Sequence, residues 1–446
     1  MAATDLTQLT AAEAARLIRE ARITSEDLMR ACLEKVAERE DQIGAWIFLD
    51  PEHALSQARR ADEIRRQGRE VGPLHGVPVG IKDIIDTADM PTENGSPLFA
   101  GRQTARDAAV VERLREAGAI IMGKTVTTEL AVYHPGKTRN PHRSSHTPGG
   151  SSSGSAAAVA AHMTPLALGT QTNGSVVRPA AFCGVYGLKP TFGLLSRRHV
   201  LTQSPPLDTV GIFARSIEDL ALAADVLSAY DEADEASWPR SRGSHSVVAM
   251  DEPPVPPILA YVKGPAWEHA EPVTREAFAE LADALGANCE EVELPPFFDG
   301  IVKAHADIML ADIAKNFGPL EEKAGDKLSE RLRAMIEEGR RVSAIAYNTA
   351  REQQQLYYRV LEGYFDRYGA LLTPSAPGPA PEGTATGNPI FCTLWTFLGT
   401  PAVSLPLLEA DGLPLGVQLV GQRRDDARLL RTARWLERHL ASEAAA

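Results

Sequence analysis

Three side chains in this 446-residue chain have the types and settings that acyl transfer requires: Lys82, Ser151 and Ser175. The two serines lie in one stretch of small residues, 149–193, reading GGSSSGSAAAVAAHMTPLALGTQTNGSVVRPAAFCGVYGLKPTFG. Lys82 closes the apolar run 77–81 within GVPVGIKDIID. A serine hydroxyl is a poor nucleophile until a base removes its proton. Histidine is the usual base, yet His75, His134, His142, His146, His162 and His199 sit in no GxSxG elbow and no HExxH pair. A lysine can serve instead when burial strips water from its charged form and lowers its pKa. Its place at the end of an apolar strand suits Lys82 to that role, and equally to a structural pairing with Asp83 or Asp86.

The elements around these residues alternate between helix and strand. Residues 1–70 read as helices, with apolar spacings of three and four and Thr10 capping the first. LHGVPVGIKD reads as a buried strand, DAAVVERLREAGA as a helix and IIMGKTV as the next strand. GGSSSGSAAAVAA runs straight into small apolar residues, which suits a tightly packed helix under a loop rather than a linker. SIEDLALAADVLSAY reads as a helix capped by Ser216. ILAYV, YGALLTP, GTPAVSLPL and LGVQLVG read as strands, and DDARLLRTARWLERHL as a closing helix. The pattern predicts an α/β fold with helices against a sheet. It is expected to be one domain, 1–446. Within it fall N-terminal helices (1–70), a core (72–230), an exposed acidic loop (231–257), a variable helical cap (258–370) and a C-terminal return to the core (371–446).

Composition narrows the partners. Hydrophobic residues are 44% of the chain, enough for a sizeable core, and the formal net charge of −13 argues against a general nucleic-acid or anionic-membrane surface. Cys32, Cys183, Cys289 and Cys392 are widely spaced, with no CxxC and no zinc-ligand pattern, as expected of thiols in a reducing compartment. The N-terminus lacks an apolar signal core, and no run approaches the roughly 18 apolar residues of a membrane span. The expectation is a cytoplasmic monomer or homodimer acting on a small molecule, with no nucleic-acid or membrane partner.

Taken together, GGSSSGSAAAVAA, GTQTNGSVVRPAAFCG and GLKPT resemble the amidase signature family of serine hydrolases. GPLHGVPVGIKD, TENGSPLF, AGAIIMGKT, PLDTVGIFARSIEDLALAADVL and GLPLGVQLVG extend the resemblance, with gaps at 231–257 and 290–365. The resemblance implies a large mixed, twisted β-sheet covered by helices on both faces. It implies Ser175 as the nucleophile that forms an acyl-enzyme, Ser151 as the bridging serine after a cis Gly150–Ser151 bond, and Lys82 as the base. It also implies an oxyanion hole of backbone N–H groups at Thr172, Asn173, Gly174 and Ser175. No cofactor or metal is needed.

Two departures stand out. The commoner form in the family is GTDTGGS, so Gln171 stands where a carboxylate is usual and Asn173 where a glycine is. Asparagine tolerates positive φ, which would preserve the loop. The GTQT form with Arg178 three residues after Ser175 resembles a bacterial subgroup that includes malonamidase-type enzymes. Arg178 is then a candidate for gripping a substrate carboxylate, or else for anchoring its loop to a neighbouring one. Tyr133, Gly149 and Gly150 are further candidates for the substrate pocket, as are Phe192, the segment 199–204 and the loop 383–396. The implied activity is hydrolysis of C–N acyl bonds, with ester or carbamate (urethane) cleavage open to the same machinery. The alternatives are the A subunit of a tRNA-dependent amidotransferase, which shares the core motifs, and a non-catalytic binding protein, which the presence of all three polar residues opposes.

Overall fold

Strands drawn from the whole length of the chain meet in a single eleven-stranded sheet. The computed structural model describes residues 5–239 and 243–443. The strands are β1 (Trp46–Leu49), β2 (Pro78–Lys82), β3 (Ile120–Thr125), β4 (Leu166–Gln171), β5 (Tyr186–Lys189), β6 (Thr209–Ala214), β7 (Leu259–Val262), β8 (Cys289–Val292), β9 (Ala370–Pro374), β10 (Ala402–Ala410) and β11 (Leu413–Val420). Their order across the sheet is β1-β3-β2-β4-β6-β5-β10-β11-β9-β7-β8. The sheet is mixed. β3, β2 and β4 run parallel near one edge and β9, β7 and β8 near the other, with antiparallel pairs between.

The helices are α1 (Ala11–Arg19), α2 (Ser25–Ile43), α3 (Pro51–Arg66), α4 (Ala109–Glu116), α5 (Ser153–Ala160), α6 (Val177–Cys183), α7 (Ile217–Leu227), α8 (His245–Met250), α9 (Pro272–Leu285), α10 (Ile301–Ala324), α11 (Glu330–Arg340), α12 (Ala344–Glu362), α13 (Ile390–Phe397) and α14 (Asp426–Glu443). Their starts follow local chemistry. Thr10 and Glu13 exchange bonds in a capping box on α1, and the Ser216 side chain caps α7. Alternate residues of one strand serve opposite faces, as period-two geometry requires. Leu259 and Tyr261 enter the core that holds α1, α2, α5, α7 and α14, while Ala260 and Val262 enter the core under α10, α11 and α12. The fold is thus a mixed α/β sheet between helical layers.

Helix α5 shows why its sequence is so small. Residues 153–159 are all buried, and a Cβ on Gly154 would lie 2.2 Å from the Ala45 carbonyl oxygen. Only glycine lets the helix come that near.

Four expectations change. The segment 1–70 is not all helix: the apolar run WIFL forms β1, because a half-buried pleated edge against β3 suits aromatic and β-branched residues. Segment 231–257 is not all loop. It holds α8, a six-residue helix whose first turn is gripped by Asp225 of α7 through the Ser246 N–H at 3.0 Å and the Ser244 hydroxyl at 2.9 Å. Segment 258–370 is not only cap, since β7, α9 and β8 join the sheet and α10, α11 and α12 alone form the overlying layer. The loop at 383–396 holds α13, fully buried over 391–397.

Candidate active site

Lys82 ends β2 with no solvent exposure. Its Nζ donates to the Ser151 hydroxyl at 2.7 Å and to the Thr170 hydroxyl, near the end of β4, at 2.8 Å. Neither Asp83 nor Asp86 is its partner. Asp83 accepts the Glu93 N–H at 3.1 Å, and Asp86 pairs with Arg102 at 2.7 Å. No carboxylate lies within ion-pair reach of Lys82 among the described residues. Burial therefore holds its pKa well below the usual lysine range, with only Asp208 pulling the other way. The structural pairing that the sequence left open is overturned, and the buried lysine is what the fold builds.

Ser151 precedes α5, and the Gly150–Ser151 peptide bond is cis. The Gly149 N–H donates to the Thr147 hydroxyl at 3.0 Å, and the Gly150 carbonyl accepts Arg178 Nη2 at 2.6 Å. These two glycines shape the approach to Ser151.

The loop from β4 to α6 carries Ser175. Gln171 holds it from inside: its Oε1 accepts the Val176 and Val177 N–H groups at 2.8 and 3.0 Å, and its Nε2 donates to the Thr396 hydroxyl of α13 at 2.9 Å. An uncharged amide can do both, which a carboxylate cannot. Asn173 does not adopt a positive φ, contrary to expectation. Instead its Oδ1 accepts the Thr393 hydroxyl at 2.8 Å and its carbonyl the Thr396 hydroxyl at 2.5 Å. Gly174 leaves no room for a side chain, as a Cβ would lie 2.7 Å from Arg178 Nη1. The backbone N–H groups of Thr172, Asn173, Gly174 and Ser175 donate to no protein acceptor among the described residues.

Ser175 lines a narrow cleft of about 250 Å³ with Tyr133, Val132, Asn173, Arg178 and Met309. Tyr133 is half-buried and carries the Arg331 guanidinium over its ring at 5.5 Å. Arg178 is 1% exposed. Its Nε donates to the Thr386 carbonyl at 2.6 Å and its Nη2 to Gly150, while Nη1 has no partner. No carboxylate pairs with it among the described residues, so it does not anchor its loop to one. A second cavity, of about 1050 Å³, shares Ala131, Thr172 and Gln203 with the cleft and is also lined by Thr170, Asp208 and residues 197–203. Of the further sequence candidates, the segment 199–203 lines this cavity, whereas Phe192 packs under Arg197.

Several neighbours of the site escaped sequence reasoning. Thr170 is the second partner of Lys82; a hydroxyl just before the end of a buried strand was its only signal. Asp208 sits in PLDTVG and accepts the Thr172 hydroxyl at 2.6 Å. His305 of α10 donates to the Thr172 carbonyl at 2.9 Å, and burial pushes its pKa down to about 4. Met309 follows one turn later. Nothing in the α10 sequence distinguishes these positions from ordinary helix core.

A serine beside a lysine-bonded serine, on a mixed sheet between helical layers, is the setting in which the comparisons with known proteins fall. The family model for Amidase matches residues 27–430. The chain therefore belongs to the amidase family. It is 35% identical to the A subunit of the glutamyl-tRNA(Gln) amidotransferase of Chloroflexus aggregans, over 96% of each chain. It is 33% identical to the protein of that name from Thermobifida fusca, over 95% of this chain and 94% of the other. Among solved structures, 6-aminohexanoate cyclic dimer hydrolase in complex with substrate superposes with a TM-score of 0.86 at 28% identity, covering 99% of this chain and 98% of that one. The native peptide amidase of Stenotrophomonas maltophilia gives 0.81 at 28% identity, covering 97% and 96%. No helix among the described residues is long and apolar enough to cross a membrane.

Proposed function

We propose that this chain cleaves amide C–N bonds through an acyl-enzyme on Ser175, and that its substrates carry a carboxylate gripped by Arg178. One observation carries the proposal: a lysine with no exposure and no carboxylate partner whose Nζ is 2.7 Å from a serine hydroxyl. Neutral Lys82 takes the Ser151 proton while Ser151 takes that of Ser175, whose Oγ attacks the carbonyl carbon. Negative charge builds on the carbonyl oxygen and is met by the free N–H groups at 172–175. Ser151 returns the proton to the departing nitrogen, the amine leaves, and water repeats the sequence to release the acid. Esters and carbamates present the same carbonyl to Ser175.

Arg178 supports the choice of substrate. A buried guanidinium remains charged, and it lacks a counter-charge in a cleft shared with the nucleophile. A small amide whose acyl part ends in a carboxylate supplies that counter-charge.

A second reading is favoured by relatedness: over nearly their full length, the curated relatives that match this chain bear the name of a tRNA-dependent amidotransferase component. In that role Ser175 performs the same amide cleavage, and the released amine passes to an acceptor within a complex with tRNA. The test joins both. Intact mass is followed after treatment with a small fluorophosphonate, then a panel of carboxylate-bearing and neutral amides is assayed on the lone chain, alongside co-purification from its native cells. One adduct, lost in Ser175→Ala, and turnover of acidic amides by the lone chain support the hydrolase. A stable complex that alone releases ammonia from glutamine supports the amidotransferase. Absence of any adduct in either state would overturn the acyl-enzyme.

A further inference from the structure

Asp208, just before β6, separates the Ser175 cleft from the second cavity. Its Oδ1 accepts the Thr172 hydroxyl at 2.6 Å, and its Oδ2 accepts the N–H groups of Gln203 and Ser204, each at 2.9 Å. The carboxylate is buried with no ion-pair partner among the described residues. Such a group is costly to keep unless its hydrogen bonds are complete and it serves a purpose.

Its three bonds join two loops. α13 holds one side of the Ser175 loop, at Gln171 and Asn173. Thr172, between them, faces the other way and is fixed from that side by Asp208 and His305. Asn316 and Asp312 of α10 hold the partner loop through the Gln203 carbonyl at 3.0 Å and the Ser204 hydroxyl at 2.6 Å. Asp208 is also the one charged group among the described residues that acts on Lys82.

We propose that Asp208 is a positioning residue for the Ser175 chemistry: it fixes Thr172, and with it the N–H groups at 172–175, and it supplies the negative charge that the Lys82 ammonium faces. This rests on the acyl-enzyme reading above. The charged and titratable groups packed around Asp208 are few. Lys82 comes from β2. Arg197 is committed to Asp234 at 2.7 Å, His305 is held neutral by burial, and Asp312 faces Ser204 and Tyr347. Burial pushes the Asp208 carboxyl up to about 6, so it is charged above that pH. Its charge favours the ammonium form of Lys82. Removing it lets Lys82 lose its proton at lower pH.

The experiment is the rate at which a small fluorophosphonate modifies Ser175, followed by intact mass from pH 5 to 10. Wild type, Asp208→Asn and Thr172→Val are compared, with Ser175→Ala as the single-site control and thermal melts to verify folding. The wild-type rate rises with pH as Lys82 becomes neutral. In Asp208→Asn the midpoint of that rise moves down by roughly half a pH unit or more, and the plateau falls about tenfold. Thr172→Val lowers the plateau and leaves the midpoint in place. A folded Asp208→Asn with an unmoved midpoint overturns the proposal. If that variant fails to fold, an unchanged Thr172→Val plateau overturns it equally. A labelled wild type with an unmoved variant profile sinks only the assignment of Asp208, whereas an unlabelled wild type sinks the acyl-enzyme and this proposal with it.

Discussion

Lys82 and Lys124 stand on adjacent parallel strands, both without solvent exposure, and the fold uses them differently. Lys124 pairs with Ile81 across the ladder and Lys82 with Thr125, so the one-residue offset sends the two side chains to opposite faces. Lys124 donates to the Ile85 carbonyl at 2.5 Å and the Thr92 hydroxyl at 2.7 Å, with Asp83 and Asp86 nearby, and burial brings its pKa only to about 8. Lys82 meets two hydroxyls and is pulled further down. The distinction is chemical. A carbonyl oxygen only accepts, so it favours the ammonium. A hydroxyl can accept from an ammonium or donate to a neutral amine, so it suits both states of a base. Lys189, bonded to the carbonyls of Thr400 and Pro190 and held near 7, falls with Lys124 on the structural side.

Four measurements would break or sharpen this contrast. Ser175→Ala should lose turnover by about 10⁴-fold or more with its melting temperature unchanged; residual serine-like activity would mean another nucleophile. Lys82→Met should lose roughly 10³-fold, while Lys124→Met keeps kcat per folded molecule within a few-fold and loses stability instead. Equal kinetic losses in the two variants would erase the distinction between the lysines.

The third measurement is stability against pH. Lys124 has a folded pKa of about 8, below its ordinary 10.5. Between those values the unfolded chain binds more protons, so stability must rise with pH across that window. Its share is on the order of 3 kcal/mol. Urea midpoints of wild type and Lys124→Met at pH 7.5 and 10 should diverge in the wild type's favour as pH rises; parallel curves would argue that Lys124 titrates normally. The smallest effect is expected of Arg178→Lys. A lysine cannot reproduce the three-way geometry of the fork, so KM for carboxylate-bearing amides should rise about tenfold, with neutral amides little affected. A uniform loss on both substrate classes would make Arg178 purely structural.

Legibility in the sequence followed locality. The capped helices α1 and α7, the strand ending in Lys82 and the helix after Ser151 were readable because their signals lie within a few residues. β8 was not, because CEEV at a sheet edge carries two glutamates and becomes a strand only by pairing with β7. α8 was not, because six residues are too few for a helix to form unaided and Asp225 of another element stabilises its first turn. Asn173 misled, since a left-handed backbone was inferred from its type where the fold instead uses its side chain as an acceptor for Thr393.

The sequence by itself determined the reactive residue types, their order along the chain and the small-residue packing that lets α5 approach the sheet, because each depends on near neighbours or on volume alone. Tertiary structure decided which of three buried lysines loses its carboxylates, that Arg178 keeps one nitrogen unpaired, and that Asp208 and His305 reach Thr172 from distant segments. Those outcomes depend on desolvation and on hydrogen-bond partners more than 30 residues away, and neither quantity is written in the local order of the chain.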